Sequence, residues 1–265
     1  MDLICARVAS NDVIMPGTHV LALESAALGR AAAPGQFVHI RAGITWDPLL
    51  RRPMSIYQIR PQGVSVMVRA IGEGSTMIAA SRPGDTLDVL GPLGRPFSVD
   101  PAARRLLMVG GGYGVAPLVA LAERVLPRGC EVVLLVGAAT AELVFPTGLV
   151  PPEVEYQAAT MDGSLGHHGF VTELVPAYIA WADAVYACGP TPMLEAVARV
   201  SRPAAAGRAG AVDFPKPVQL AMEQHMGCAM GVCLGCVVKT RHGYQRVCRD
   251  GPVFDAGELV WEPTR

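Results

Sequence analysis

The stretch RLLMVGGGYGVAPLVALAERVL, Arg105 to Leu126, decides how the chain is read. Its first part, RLLMVGG, is a continuous apolar run of strand length. Its last part, APLVALAERVL, carries apolar residues at helical spacing. Between them VGGGYGVAP, Val109 to Pro117, holds four glycines. A buried strand that turns tightly into a helix is the repeating unit of a parallel sheet covered on both faces. Glycines at such a turn let backbone N–H groups approach a pyrophosphate, whose charge the helix N-terminus favours. The spacing is not G-x-G-x-x-G, because Val115 stands where a third glycine would be. A tight turn without a ligand is therefore a competing reading.

Downstream the same texture repeats. EVVLLVGA, a helix-like stretch, VEYQAAT, VTELVPAYIA, DAVYACG and PMLEAVARV alternate strand and helix character. CGPTPM, Cys188 to Met193, again joins a strand to a helix, with Pro190 or Pro192 suited to a helix start. Open parallel sheets bind ligands at the carboxyl ends of their strands, so both loops lie on the expected binding edge. Cys188 reads equally as a small buried apolar residue at a strand end.

Upstream the texture is all-β. HVLALES, QFVHIRA, MSIYQIR, GVSVMVRAI and DTLDVL are short, rich in β-branched residues and separated by turn residues, which suggests a small barrel or sandwich. A short helix is expected from Ser75 through TMIAA. RRPMSIY, Arg51 to Tyr57, brings Arg52 and Ser55 together at a strand start, and arginine grips phosphate bidentately. GEGST, Gly72 to Thr76, is a second anion-binding candidate. Taken singly, each reads as an ordinary turn with a solvated side chain.

SRPAAAGRAGAVDFPKP, Ser201 to Pro217, reads as a linker. Beyond it, four of the chain's seven cysteines fall as C-x4-C-x2-C-x11-C at Cys228, Cys233, Cys236 and Cys248. The first three match the plant-type [2Fe–2S] run, in which a compact two-iron core needs four converging thiolates. VVKTRHGYQRVC reads as a hairpin turning near His242-Gly243 that brings in the fourth. A structural zinc site is the alternative, although zinc usually takes two C-x2-C pairs and only one is present. His225 and His242 read as exposed loop residues.

Composition bounds the rest. The 265 residues are 51% hydrophobic and 17% charged, with a formal net charge of −1. That suits a folded chain of more than one domain and argues against nucleic acid as the main partner. The N-terminus shows no basic start followed by an apolar run, and the uncharged run Leu106 to Ala122 is short for a membrane span. A cytoplasmic protein is expected, where clustered cysteines bind metal more often than they pair. The expected architecture is an antiparallel β-barrel over 1–100, a parallel-sheet α/β domain over 101–213 and a small [2Fe–2S] domain over 214–265.

Together these motifs carry a family resemblance. PGQFVHI and RPMS, then GEGST, GGGYGVAPL and CGPTPM, resemble the ferredoxin–NADP reductase superfamily. The tail, MGCAMGVCLGCVVK and RVCRDGPVFDA, resembles the electron-transfer subunits of type B dihydroorotate dehydrogenases, the NAD-linked bacterial enzymes of pyrimidine synthesis. The resemblance covers nearly the whole chain in the same order.

It implies an FAD-binding barrel, with Arg52, Pro53, Met54 and Ser55 at the flavin and its diphosphate. Met67, Val68 and Arg69 would lie along the flavin strand, and Gly74, Ser75 and Thr76 would meet the FAD phosphates. It implies NAD binding at Gly110, Gly112 and Gly114, with Cys188 as the candidate catalytic residue and Gly189 and Pro190 beside it near the nicotinamide. Asp162 and Gly163, in TMDGSLGHHG, would stand on the same edge. Cys228, Cys233, Cys236 and Cys248 would hold the cluster. The chain departs from the pattern at Met54, where many members have tyrosine, and at Ser75, inserted into the usual G-T.

The activity implied is electron transfer between NADH and a partner through FAD and a [2Fe–2S] cluster. The implied partner is an FMN-containing dihydroorotate dehydrogenase catalytic subunit, in a heterotetramer of two chains of each kind. NAD is expected over NADP, because no arginine follows EVVLLVGA to pair a 2′-phosphate. The alternatives are a flavin/iron–sulfur reductase subunit of another complex (glutamate synthase-like, or an electron-bifurcating NADPH:ferredoxin type), a zinc-holding assembly subunit, and a flavin diaphorase with a vestigial tail.

Overall fold

The computed structural model describes residues 2–43, 47–202 and 215–261. The N-terminal part is a closed barrel. Its strands are β1 (Asp2–Met15), β2 (Thr18–Glu24), β3 (Phe37–Ile40), β4 (Arg52–Arg60), β5 (Gly63–Arg69) and β6 (Thr86–Leu93). They pair antiparallel in the order β1-β2-β5-β4-β3-β6, and β6 closes back on β1. Helix α1 (Ala26–Ala31) lies between β2 and β3, and α2 (Glu73–Ala79) between β5 and β6. The barrel is filled by alternate residues such as Val38, Ile40, Ile56, Val64, Val66, Val68 and Val89. β2 to β6 were legible from their β-branched residues and the turns between them. β1 was not, because only Ala6, Val8 and Met15 of its fourteen residues are buried. The helix expected from Ser75 starts one turn corner earlier, at Glu73.

The second part is a sheet built from β7 (Arg105–Gly111), β8 (Glu131–Ala138), β9 (Glu155–Thr160), β10 (His167–His168) and β11 (Ala184–Cys188). These strands run parallel, with α3 (Ala116–Val125) following β7, α4 (Val175–Ile179) preceding β11 and α5 (Thr191–Val200) following it. The helix-like stretch after β8 is two single 3-10 turns, Ala141–Leu143 and Thr147–Leu149. Pro146 lies between them and supplies no backbone N–H, so a longer helix cannot run through.

The boundary drawn at 213/214 and most of the linker lie outside the described residues. Past it, the sheet continues. β12 (Val218–Ala221) adds parallel to β11, then β13 (Val237–Thr240) and β14 (Gly243–Arg246) form the expected hairpin. β15 (Val253–Asp255) adds antiparallel to β12, completing the order β10-β9-β8-β7-β11-β12-β15. The stretch assigned to a separate cluster domain thus contributes two strands to the nucleotide sheet. A cluster loop hung between two sheet strands is anchored at both ends by backbone hydrogen bonds.

The barrel and the sheet are locked together. Arg60 donates to both oxygens of Glu123 on α3, at 2.6 and 2.9 Å, and Gln58 donates to the same carboxylate at 3.1 Å. The Tyr57 hydroxyl donates to the Leu149 carbonyl at 3.1 Å, and its ring meets Phe145 edge-on at 5.9 Å. Among the described residues no helix is long and apolar enough to cross a membrane.

Candidate functional site

A cleft of about 540 Å³ opens where barrel, sheet and tail meet. β4 lines it with Arg52, Pro53, Met54 and Ser55, and β5 with Met67 and Arg69. Val68, expected beside them, points into the barrel core instead, because successive strand residues face opposite sides. The guanidinium of Arg52 donates to the Leu50 carbonyl at 2.6 Å. A Cβ on Gly74 would stand 2.7 Å from that guanidinium, so glycine is what lets α2 approach the arginine. Of the two hydroxyls expected at the phosphates, Ser75 lines the cleft and Thr76 is exposed outside it. Ser75 Oγ accepts from the amides of Ile71 (3.0 Å) and Gly72 (3.1 Å) and donates to the Gly72 carbonyl (2.9 Å). Its proton is committed to the turn, so its side chain shapes the corner.

Residues outside the sequence reading complete the cleft. Tyr113, in the glycine loop, lines it, as do Glu223 to Met226 just after β12. Burial pushes the Glu223 carboxyl up, and the Tyr113 phenol is raised first by Glu223 and then by its own burial. Glu223, Tyr113 and Arg69 thus place a carboxyl, a phenol and a guanidinium on the walls of one cleft. The sequence signal for Glu223 was slight: a lone acid in EQHMGC, five residues before the first cluster cysteine.

A second cleft, about 570 Å³, runs along the carboxyl edge of the sheet. Gly111 and Gly112 line it, with Pro192 and Met193 at the start of α5. Pro190 lines both clefts, so one residue forms the wall between them. Of the expected glycines, Gly112 faces this cleft, while Gly110 and Gly114 serve packing. A Cβ on Gly114 would fall 2.4 Å from the Cys188 carbonyl oxygen, so glycine here allows the turn after β7 to touch the end of β11. Gly189, with φ of 155°, turns the chain toward Pro190. Cys188 itself is 2% exposed and lines neither cleft. Burial, and then the Glu223 charge, push its thiol well up. Asp162 and Gly163 also stand back from the cleft. The Asp162 carboxylate accepts from the hydroxyl (2.6 Å) and amide (3.0 Å) of Ser164, which hold it below the usual range. Their turn presents Met161, Gly169 and the exposed ring of Phe170 to the cleft.

The tail brings the four cysteines together as two pairs. Cys228 Sγ accepts from the amides of Met230, Val232 and Cys233, each at 3.4 Å. Burial pushes this thiol up, but those donors and the Cys233 thiol outweigh it and hold it at about 6. Cys236 Sγ accepts from the Cys248 amide at 3.5 Å. Cys248 is pushed up to about 12 by burial and then by the Cys236 thiol beside it. The loop backbone is strained to do this: Ala229 and Leu234 sit at φ of 54° and 57°. Left-handed non-glycine residues persist where the surroundings over-determine them, and alternating conformations aim N–H groups inward. Among the described residues no three His, Cys, Asp or Glu side chains converge on one point, as a single ion needs. Two thiol pairs fit a [2Fe–2S] core, in which each iron takes two. His225 faces the junction cleft and His242 is exposed in the hairpin turn, so neither joins the cysteines.

Residues 223–260 match the family model for the iron–sulfur cluster binding domain of dihydroorotate dehydrogenase B. Over the whole chain, the dihydroorotate dehydrogenase B (NAD(+)) electron transfer subunit of Bacillus caldolyticus is 42% identical, covering 96% of each chain. That of Desulforamulus reducens is 37% identical, over 97% of this chain and 98% of the relative. Among solved structures, an NADH-dependent reduced ferredoxin-NADP oxidoreductase studied for flavin-based electron bifurcation superposes with a TM-score of 0.83 at 26% identity, over 97% of this chain and 90% of that one. The ferredoxin reductase of carbazole 1,9a-dioxygenase shares the fold, with a TM-score of 0.64 at 23% identity over 75% of this chain and 64% of that one. With barrel, sheet and cysteine tail in the same order along nearly its full length, the chain belongs to the family of dihydroorotate dehydrogenase B (NAD(+)) electron transfer subunits.

Proposed function

We propose that this chain moves electrons between NADH and a partner flavoprotein, through FAD in the junction cleft and a [2Fe–2S] cluster in the tail. One observation carries the reading. The junction cleft is lined by all three parts of the chain at once: Arg52 and Met67 from the barrel, Tyr113 and Pro190 from the sheet loops, and Glu223 to Met226 from the tail. That last segment leads directly into Cys228. A redox group held there touches both the nucleotide edge and the approach to the thiols.

FAD supplies the change from two-electron to one-electron transfer that a nicotinamide and an iron–sulfur cluster cannot make between themselves. The chain's residues do the binding and the orienting. Arg52, held against Gly74, is the cation for the FAD diphosphate. Gly111 and Gly112 open the strand–helix turn to the pyrophosphate of NADH. Pro190, common to both clefts, would stand between the nicotinamide and the flavin. Cys188 lies behind that wall as a neutral thiol and supports the strand end on which Gly189 and Pro190 turn. Cys228, Cys233, Cys236 and Cys248 hold the cluster.

The cluster loop ends in exposed Met230, Val232 and Leu234, an apolar tip suited to docking. The partner is an FMN-containing catalytic subunit that handles dihydroorotate, in a cytoplasmic heterotetramer of two chains of each kind. NAD is preferred, since Ala139 to Leu143 after β8 include no arginine for a 2′-phosphate. The 0.83 TM-score to the bifurcating reductase favours a second reading, a subunit of that kind of complex. Relative rates with NADH and NADPH, and the protein that copurifies, separate the two.

The test is a visible and EPR spectrum of the anaerobically purified chain. Flavin bands with a reduced [2Fe–2S] signal are expected. Absence of both, or dihydroorotate oxidation by the chain without a partner, overturns the proposal.

A further inference from the structure

Arg246 lies two residues before Cys248, at the end of β14. Its backbone carbonyl accepts from the amides of Asp250 (2.7 Å), Arg249 (3.2 Å) and Gly251 (3.3 Å), which closes the turn around Cys248. Its side chain then makes two connections. Nε and one terminal nitrogen donate to the two oxygens of Asp250, at 2.9 and 3.2 Å. The other terminal nitrogen donates across to the Gly231 carbonyl, at 3.2 Å. Gly231 belongs to the loop between Cys228 and Cys233.

The two thiol pairs differ in what ties them. Cys236 and Cys248 are joined through backbone: the Val247 amide donates to the Cys236 carbonyl at 3.0 Å, and the Cys248 amide to Cys236 Sγ at 3.5 Å. Cys228 and Cys233 sit on the far arm of the loop, and the Arg246 fork reaches that arm at Gly231. A partly exposed Arg–Asp pair four residues apart contributes little to stability by itself. The third hydrogen bond, across to a different segment, is what an ordinary surface pair lacks.

Resting on the [2Fe–2S] reading of the tail, we propose that Arg246 is a positioning residue for the cluster: clamped by Asp250, it holds Gly231 so that both thiol pairs keep one separation, and its charge beside Cys236 and Cys248 favours the reduced cluster. Groups that orient ligands without touching the metal commonly change metal affinity by about 10–100-fold when replaced. A fixed cation beside sulfur stabilises the extra electron, so it raises the reduction potential.

Three variants of the full chain, R246Q, R246K and D250N, separate the geometric part from the charge. The readouts are iron release to a chelator and the cluster's EPR-monitored midpoint potential, with FAD content as the check on folding. R246Q is expected to release iron about tenfold faster or more and to shift the potential negative. R246K keeps the charge without the fork, so it should release iron quickly while its potential stays near wild type. D250N unclamps the fork and should release iron like R246K. If R246Q does not fold, the other two decide by the same readouts. Wild-type release rate and potential in R246Q, or in both other variants, overturn the inference. A wild-type chain that lacks a [2Fe–2S] signal overturns the tail reading, and the inference with it.

Discussion

Cys188 and Cys228 are the same residue in the same chain, and the fold treats them oppositely. Cys188 ends a central strand, is 2% exposed, and has its thiol driven up by burial and by Glu223. Cys228 stands in a loop whose backbone is bent to aim three amides at its sulfur, and its thiol is held at about 6. Spacing gave Cys228 a place among the cluster thiols, while the family resemblance alone made Cys188 the candidate catalytic residue. The structure separates them by solvation. A thiolate is a charge, and a charge survives only where donors replace the water it loses. The two clefts are shaped by strands, which hold their form through the ladder. The cluster loop is shaped largely by hydrogen bonds to the sulfurs themselves.

The comparison makes predictions of decreasing size. Cys248→Ala removes one of four ligands and is expected to abolish the cluster, seen as loss of iron and of the EPR signal, while bound FAD stays stoichiometric. Loss of FAD in a folded variant would mean that cleft and loop are not separately built.

Next comes reactivity. In protein stripped of iron at pH 7, Cys228 should be mostly thiolate, while a thiol raised above 9 is under about 1% thiolate. Iodoacetamide should therefore label Cys228 at least about a hundredfold faster than Cys188, with labelling rising as pH passes about 6. Peptide mass mapping gives the ratio, and equal rates would remove the contrast.

Arg52→Ala tests the strand-built cleft. Loss of a charged hydrogen-bond donor to a diphosphate should weaken FAD binding by about 10–100-fold, read by flavin fluorescence. Gly74→Ala should do part of this by displacing the guanidinium.

His39 extends the lesson to another buried group. It is 0% exposed, with neither ring nitrogen bonded, and its pKa is lowered from 6.5 to about 4 by burial. Between those values only the unfolded chain takes up the proton. Stability is therefore full above about 6.5 and falls as pH drops toward about 4, by about 3 kcal/mol at most. His39→Leu should flatten that slope in urea melts at pH 7 and pH 5. Smallest is Glu123→Gln, which weakens the barrel–sheet link with Arg60 by about 0.5–1 kcal/mol in the same melts.

Legibility followed how local the physics was. Most barrel strands declared themselves by β-branched residues between turns, and Arg105 to Leu126 by a strand, glycine turn and helix in succession. Met67 and Arg69, expected along the flavin strand, line the junction cleft, while Val68 between them is turned into the barrel core. The stretch after β8 looked helical in composition, but Pro146 and short contacts leave only single turns. β12 and β15 are four and three residues long, too short for a periodic signal, and exist because β11 offers an edge. Asp162, expected on the binding edge from the resemblance of TMDGSLGHHG to a family loop, accepts from Ser164 and lines neither cleft.

The sequence by itself determined the order of the parts, the cysteine spacing, the glycine turn and the Arg52–Ser55 strand start. These are short-range features, set by what neighbouring residues can do to one backbone. Only the tertiary structure decided that Cys228 pairs with Cys233 and Cys236 with Cys248, that Pro190 walls both clefts, and that Glu223 shares a cleft with Tyr113. It also made the tail part of the sheet. Burial and pairing depend on which distant segments meet, and that is settled by packing the whole chain.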